Sequence, residues 1–234
     1  MSTYLESEKV ANSVMTRVYG YMFAGLLVSA LMAAVFAYVP DCRDFLYRVG
    51  ETGAMQLSVA GWIILLSPLV IVLFFQGLIA ELESGAAFLV FLLFCALMGM
   101  SLSCIFLVYT AASILMCFVI TAATFGAMAI YGLVTKSDLT SWGSIFIMAL
   151  FGLIIAMVIN IFLGSETMDF VISLIAVVVF CGLTAYDTQK IRDELYDCYD
   201  KQEANRIALR GALSLYLDFV NLLLQIIKLL GKKK

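Results

Sequence analysis

Long apolar runs alternating with short polar connections dominate the pattern of the chain. The first run covers residues 19–39, and the second covers residues 57–80 and contains Pro68. Residues 84–135 carry no formal charge, and one membrane crossing takes only about 20 residues, so this stretch predicts two helices. Three further runs follow it. The helices predicted after the second run are 86–109, 112–133, 142–163, 168–189 and 210–230, which makes seven predicted crossings.

Composition and the absence of linkers predict the class and the domain organisation. Hydrophobic residues make up 64% of the chain and charged residues 13%, which is too apolar for one soluble domain of 234 residues. The chain is therefore predicted to be an all-α integral membrane protein. No Pro/Gly-rich linker divides it, so residues 1–234 are expected to form one transmembrane domain, a seven-transmembrane-helix bundle.

Lysines and arginines of the polar segments predict the orientation. With the N-terminus in the cytoplasm they concentrate on the inner side, which is the positive-inside pattern. The inner set is Lys9, Arg17, Lys136, Lys190, Arg192, Lys201, Arg206 and Arg210, and the outer set is Arg43 and Arg48. The short N-terminus and short loops favour a bacterial inner membrane. Because seven full crossings would export Lys228 and the three terminal lysines, a re-entrant last segment stays open as an alternative.

Charge and residue usage exclude several classes of function. The net charge of −3 gives no reason to expect a nucleic-acid partner. The six cysteines are scattered without a CxxC pair and the chain has no histidine, so a zinc site, a haem site and a disulfide framework are not expected, and no cofactor is expected. Since histidine is the side chain that ordinarily titrates near neutral pH, any pH sensing must use carboxylates.

A polar stripe follows one face of the last predicted helix. Its members recur every three or four residues, so they share one side of a helix: Arg210, Ser214, Asp218, Asn221, Gln225 and Lys228. For Ser214, Asn221 and Gln225, hydrogen bonding between packed helices and lining of a pore are equally good interpretations. For Asp218 the functional interpretation is favoured, because an ionisable residue at membrane depth is expensive.

Asp187 is the expected partner of Asp218. It lies in "TAYDTQK" at the end of the sixth predicted helix, with Thr184 on the same side. The two predicted helices are consecutive and antiparallel, so both aspartates belong to the halves near their shared connection. Their depths match only if the sixth helix runs on beyond Lys190 or the seventh begins late. Two carboxylates that meet in a poorly hydrated site would share one proton and form a pH switch.

Two other kinds of site fit the sequence less well. The acids of residues 190–206 lack the glycine and spacing of an EF-hand, and their alternation with basic residues is typical of a solvated helix face. The two aspartates also resemble those of intramembrane aspartyl proteases, but those enzymes place the second aspartate in a GxGD turn, and "LYLDF" has no glycine. We therefore expect that the chain is not an enzyme.

Three motifs together resemble the Bax inhibitor-1 family of membrane proteins over about residues 15–231. They are "ITAATFGAMAIYGLVTKSDLT", "GLTAYDTQKI" and "ALSLYLDFVNLLLQIIKLLG". The resemblance implies six helices around a central seventh and a pH-sensitive calcium leak. It also implies protection against cell death in eukaryotes and, in some bacteria, modulation of a membrane protease. The paired aspartates of the family correspond to Asp187 and Asp218, which would also be the contacts for calcium as the permeant ion.

This chain departs from the family pattern at two positions that affect the aspartate pair. Some members have an acid where this chain has Ser214, and some prokaryotic members end the second helix with basic residues that can lock the aspartate pair. This chain has "FFQGLIAELES" at that position. If a lock exists here, Lys190, Arg192 or Arg210 must provide it.

Three hypotheses of function follow. The leading one is a calcium leak channel gated by protonation of Asp187 and Asp218, with Ser214, Asn221, Gln225, Thr184 and Arg210 lining or supporting the path. The alternative is a non-conducting regulatory protein that binds a membrane protease or a partner in cell death or stress. The third is a proton-coupled transporter.

Overall fold

The computed structural model describes residues 2–49, 55–198 and 200–234, so Met1, residues 50–54 and residue 199 of the predicted domain lie outside the described residues. Helices account for nearly all of the described chain. In order along the sequence the elements are α1 (Ser2–Tyr38), α2 (Pro40–Leu46), β1 (Tyr47–Val49), β2 (Met55–Leu57), α3 (Val59–Glu81), α4 (Ser84–Val108), α5 (Ala111–Val134), α6 (Thr140–Leu163), α7 (Glu166–Tyr196) and α8 (Lys201–Leu230).

The lengths and composition of these helices are those of a membrane protein. Within the described residues, six helices are long and apolar enough to cross a membrane, namely α1 from Ala11 onward and α4 to α8. The described part of α3 contributes a shorter apolar segment, Val59–Phe75. An all-α integral membrane protein is therefore confirmed, while the crossing of all seven long helices stays a prediction.

Three helices extend well beyond the apolar runs that predict them. α1 begins at Ser2 rather than residue 19, α7 continues to Tyr196 rather than ending at residue 189, and α8 begins at Lys201 rather than residue 210. At the start of α8 the Asp200 carboxylate accepts a hydrogen bond of 3.0 Å from the backbone N–H of Glu203, which is a typical N-cap. Hydropathy detects only the part of a helix that lies in lipid, whereas charged residues can continue the same helix into water.

The connection after α1 has regular structure that the apolar pattern did not predict. It holds the short helix α2 and the antiparallel pair β1–β2, in which Tyr47 is opposite Leu57. Ser58 fixes the return of the chain, since its N–H donates to the Leu46 carbonyl at 2.8 Å and its hydroxyl donates to the Phe45 carbonyl at 2.7 Å. These elements are too short to give a periodic hydrophobic signal.

α8 is the innermost helix and α6 is the most peripheral of the long ones. α8 packs against α1, α3, α4, α5 and α7, whereas α6 packs mainly on α7. Leu215, Tyr216 and Leu222 of α8 are fully buried, and the only buried residues of α6 are Gly143 and Leu153. The polar stripe predicted on α8 therefore lies on the helix that is most enclosed by others.

The far end of α8 lies beside the start of α7 and the turn between α4 and α5. Lys228 Nζ forms an ion pair of 3.0 Å with Asp169 Oδ1 in the first turn of α7. Past the helix, the backbone of Lys232 accepts a hydrogen bond of 3.1 Å from Thr110 N–H and donates one of 2.8 Å to Ser113 Oγ. α8 thus runs antiparallel to α7 over its length without turning back, which favours a complete crossing over a re-entrant segment.

Candidate functional site

Asp187 of α7 lies against the turn of α8 that precedes Asp218. The Ser214 hydroxyl of α8 donates a hydrogen bond to Asp187 Oδ2 of α7, and Asp218 lies one turn after Ser214. Among the hydrogen bonds of the described residues none joins the two carboxylates directly, and the hydrogen bond of Ser214 is to Asp187. α7 does run on beyond Lys190, which is one of the two conditions stated for the pairing, whereas α8 begins earlier than predicted.

Asp218 is the more enclosed member of the pair. Its side chain is 6% exposed, and its Oδ2 atom is buried without a hydrogen-bond partner among the described residues. Neither aspartate belongs to any of the ion pairs found in the described part of the chain. An ionised carboxylate in such surroundings is strongly disfavoured unless water, a proton or a cation reaches it.

One cavity opens beside Asp187, on the side of the connection between α7 and α8, and we call it the loop-side cavity. Its volume is about 270 Å³. The polar side chains that line it are Asp187, Lys190, Glu194, Arg210 and Ser214. Glu194 lies on α7 and is exposed, in agreement with the solvated helix face that the sequence predicts, and it also lines this open cavity.

The three cations that could lock the pair are arranged differently. Arg210 forms an ion pair of 3.0 Å with Glu203. Arg192 pairs with Asp193 at 2.8 Å and donates to the Leu133 carbonyl of α5. Lys190 is exposed at the edge of the loop-side cavity. Lys190 and Arg210 therefore share a cavity with Asp187, whereas Arg192 is engaged with α5.

A second cavity lies at the other end of the stripe, and we call it the tail-side cavity. Its volume is about 550 Å³, and it lies between α4, α6, α7 and α8. Asn221, Gln225 and Lys228 line it together with apolar residues. Gln225 is 6% exposed, and its Oε1 atom is buried without a partner among the described residues.

Asp218 lies between the two cavities. It follows Ser214, which lines the loop-side cavity, by about 6 Å along the helix axis, and it precedes Asn221, which lines the tail-side cavity, by about 4.5 Å. Ser214 and Asn221 are thus about 10 Å apart along the axis of α8, and we call the part of the bundle between them, which contains Asp218, the barrier.

Thr184 does not join this arrangement. It is fully buried, and its hydroxyl donates to the Phe180 carbonyl of the preceding turn at 2.8 Å. It lines neither cavity. Its place in the structure is in the packing of α7.

A hydrogen-bonded residue that the sequence analysis missed lies two positions before Asp218. The Tyr216 hydroxyl shares a hydrogen bond of 2.7 Å with Ser29 Oγ, and Ser29 also contacts the carbonyls of Gly25 at 3.0 Å and Cys95 at 2.7 Å. This cluster ties α8 to α1 and α4, two positions before Asp218. The only sequence signal for Tyr216 was its hydroxyl group among apolar neighbours. Aromatic residues in such a position more often contribute to packing alone.

The connection between α5 and α6 is fixed to α7 next to Asp187. Gln189 accepts a hydrogen bond of 2.8 Å from Leu139 N–H and donates one of 2.9 Å to the Ser137 carbonyl. In the same connection, hydrogen bonds from the hydroxyl and the N–H of Thr140 hold the pKa of the Asp138 carboxyl below its usual value. The loop that borders the site is therefore held by the residue two positions after Asp187.

Comparisons with known proteins cover almost the whole chain. A model of the family described as "Inhibitor of apoptosis-promoting Bax1" matches residues 11–234. The inner membrane protein YbhL of Escherichia coli (strain K12) is 41% identical over 222 residues, which are 94% of this chain and 92% of that protein. A protein of Borreliella burgdorferi is 39% identical over 227 residues, 96% of this chain and 94% of that protein. The protein YrjE of Lactococcus lactis is 39% identical over 220 residues, 94% of this chain and 91% of that protein.

Proposed function

The chain belongs to the Bax inhibitor-1 family of membrane proteins, and from this membership and the geometry of the site we propose that it is a pH-sensitive calcium leak channel. The gate is the pair of Asp187 and Asp218. The observation that carries the proposal is the position of Asp218, a buried carboxylate with an unpartnered oxygen, between two cavities on one polar stripe. In a membrane an ionisable residue so placed is typical of an ion pathway.

The proposed topology has seven crossings, formed by α1 and α3 to α8. The N-terminus and the connections at residues 135–139 and 197–200 lie in the cytoplasm, where the positive-inside pattern puts their basic residues. The membrane is the inner membrane of a bacterium, in line with the name of the E. coli relative, inner membrane protein YbhL. The loop-side cavity then opens to the cytoplasm and the tail-side cavity lies towards the opposite side.

Protonation gates the path through the charge of the pair. Two carboxylates that lie close to each other in a dry site cannot both stay ionised without water or a cation beside them. They therefore share one proton. Binding or loss of one proton changes the charge of the pair. It therefore changes the electrostatic repulsion between α7 and α8 and the attraction of the two carboxylates for a cation. Because the hydroxyl of Ser214 contacts Asp187 and adjoins Asp218 on the helix, movement at one carboxylate reaches the other.

Calcium passes this site rather than being stored there. Calcium in stable sites takes six to eight oxygen ligands, whereas the described residues contain no group of three or more side chains suited to a metal. Two carboxylates and one hydroxyl can attract a calcium ion and release it again, which is what conduction requires. Lys190 and Arg210 at the cytoplasmic cavity limit how strongly cations accumulate there.

Calcium entry into liposomes that contain the purified protein tests the proposal. The wild type is expected to admit calcium faster than protein-free liposomes, at a rate that depends on pH. Asp218→Asn is expected to remove the pH dependence, while Asp193→Asn, which changes an exposed acid of α7, is expected to keep it. A wild-type rate equal to that of protein-free liposomes would contradict conduction, and an unchanged pH profile in Asp218→Asn would contradict the gate.

The second candidate is a regulatory protein that conducts nothing and binds a membrane protease or a partner in cell death or stress. The family description, which refers to inhibition, and the barrier of about 10 Å between the cavities favour it. This candidate predicts co-purification with such a partner and a calcium rate no higher than that of protein-free liposomes. No catalytic role is assigned in either case, because α8 has no glycine beside Asp218 to expose backbone to a substrate.

A further inference from the structure

The tail-side cavity contains a hydrogen-bond acceptor that the described part of the protein leaves unpartnered. Gln225 Oε1 is buried in its wall without a partner among the described residues, and a buried polar atom in that state is costly. The neighbouring amide of Asn221, which is half-buried, lines the same cavity. A ligand that donates hydrogen bonds would satisfy this pair of amides.

Apart from Lys228 and Tyr109, the other side chains of the wall are apolar. Leu150, Ile154 and Met157 of α6 lie on one side, and Leu224 and Ile227 of α8 lie on the other. Ile154 is 48% exposed, and α6, which supplies this part of the wall, is the most peripheral of the long helices. The cavity therefore lies beneath the helix that is least covered by its neighbours, and an acyl chain is the ligand group that the surrounding lipid supplies.

The charges at the end of the cavity favour a neutral head group. Lys228 lines the cavity but is paired with Asp169 at 3.0 Å, so its charge is already compensated. An anionic head group would have to compete with Asp169. A glycerol hydroxyl needs no counter-charge and donates the hydrogen bond that Gln225 lacks.

We propose that the tail-side cavity binds a neutral glycerolipid that has a free hydroxyl group. The hydroxyl donates to the Gln225 carbonyl beside Asn221, and one acyl chain lies along Leu150, Ile154 and Met157. The volume of about 550 Å³ lies within the range of small-molecule sites, about 300–1,000 Å³. The terminal torsion of a glutamine is soft, so the amide can turn towards the ligand.

This binding does not depend on conduction. If the chain conducts as proposed, an acyl chain in the tail-side cavity would fill one of the two cavities beside Asp218 and lower the calcium rate. That second effect rests on the proposed function, whereas the binding itself does not. Measuring binding and flux on the same protein therefore distinguishes failure of one from failure of the other.

The probes are monoolein and methyl oleate, which carry the same acyl chain. Monoolein has two free hydroxyls and methyl oleate has none. Binding to the purified full-length protein in detergent is measured as the rise in its thermal unfolding temperature with probe concentration. Monoolein is expected to bind about tenfold more tightly than methyl oleate, the ratio expected for one hydrogen bond to an otherwise unpartnered group.

Two variants separate the parts of the site. Gln225→Leu is expected to remove the preference for monoolein and to leave the affinity for methyl oleate unchanged. Ile154→Trp is expected to weaken both probes by filling the cavity, while Ile155→Trp, on the next position and 60% exposed, is expected to weaken neither. Equal affinity of the wild type for both probes, no binding of either, or a preference that survives in Gln225→Leu would overturn the proposal.

Discussion

At the scale of single residues, the site depends on how few hydrogen bonds Asp218 has. Asp187 is only half-buried and accepts a hydrogen bond from Ser214, whereas Asp218 is buried and keeps one oxygen without a partner among the described residues. The free energy of ionising Asp218 therefore depends on whether water or a cation reaches its carboxylate. In the proposed mechanism, Asp218 is therefore the residue of the pair on which protons, water or calcium act.

Tyr216 supports this residue from the side of α1 and α4. Tyr216→Phe removes one hydrogen bond to Ser29 but leaves Ser29 in contact with two carbonyls. We expect a loss of about 1 kcal/mol in the free energy of unfolding, measured by denaturant titration of the purified protein. Tyr131→Phe, at a residue that is 47% exposed, serves as the control with a loss below about 0.5 kcal/mol. Equal stability of the two variants would contradict a structural role for the bond.

The sequence predicted the two aspartates, but not the hydrogen bonds that surround them. The stripe on α8 follows from residue spacing alone, and Asp187 follows from its position at the end of the preceding predicted helix. The hydrogen bonds of Ser214 and Tyr216 depend on how α1, α4 and α7 are placed around α8. Spacing within one helix contains no information on that placement, so these contacts had to come from the structure.

At the scale of helices, close approach of α5 and α7 positions Asp187. Gly132 of α5 lies against the Ala185 carbonyl of α7, and a β-carbon at this position would also lie 3.0 Å from Thr188 Cβ. Both contacts are within two residues of Asp187. Because Gly132 has no side chain, α5 and α7 can approach closely here. This contact helps to fix the position of Asp187 on α7.

Replacement of this glycine tests the approach. Gly132→Ala is expected to lower the free energy of unfolding by about 1–3 kcal/mol, because backbone atoms of α7 would have to move. Gly126→Ala in the same helix meets no atom within 4 Å and is expected to raise stability by about 0.5–1 kcal/mol. Thermal or denaturant unfolding measures both. A Gly132→Ala variant as stable as Gly126→Ala would show that the helices are not in close contact.

The sequence predicted that the long helices exist better than it predicted where they begin and end. Every long helix of the described residues overlaps one of the predicted runs over most of its length, since membrane thickness demands about 20 apolar residues. The polar extensions of α1, α7 and α8 have no such constraint, so the apolar pattern does not show where these helices begin or end. The pair β1–β2 depends on pairing between segments of three residues each, which is too short for a pattern to identify.

At the scale of the whole molecule, α8 connects the two cavities and the two ends of the bundle. Its first turns border the connection to α7, and its last turn reaches Asp169 and the turn between α4 and α5. A complete crossing by α8 puts the loop-side cavity and the C-terminal tail on opposite sides of the membrane. The polar stripe then extends from one side to the other with Asp218 between.

Reporter fusions in bacterial cells test this topology. Alkaline phosphatase, which is active only outside the cytoplasm, is expected to be active when fused after Lys234 and inactive when fused after Ser137. Green fluorescent protein is expected to show the reverse pattern. Phosphatase activity at residue 137, or its absence at residue 234, would contradict the seven crossings.

The central claim is that Asp187 and Asp218 act as one titrating unit that controls calcium passage. Its most direct test is calcium entry into proteoliposomes from about pH 5 to pH 8 for Asp187→Asn, Asp218→Asn and the double variant, with Asp193→Asn as control. Because residues that act together are not additive, each single variant is expected to lose the pH dependence and the double variant to lose no more. A single variant that keeps the wild-type profile, or effects that simply add in the double variant, would contradict the claim.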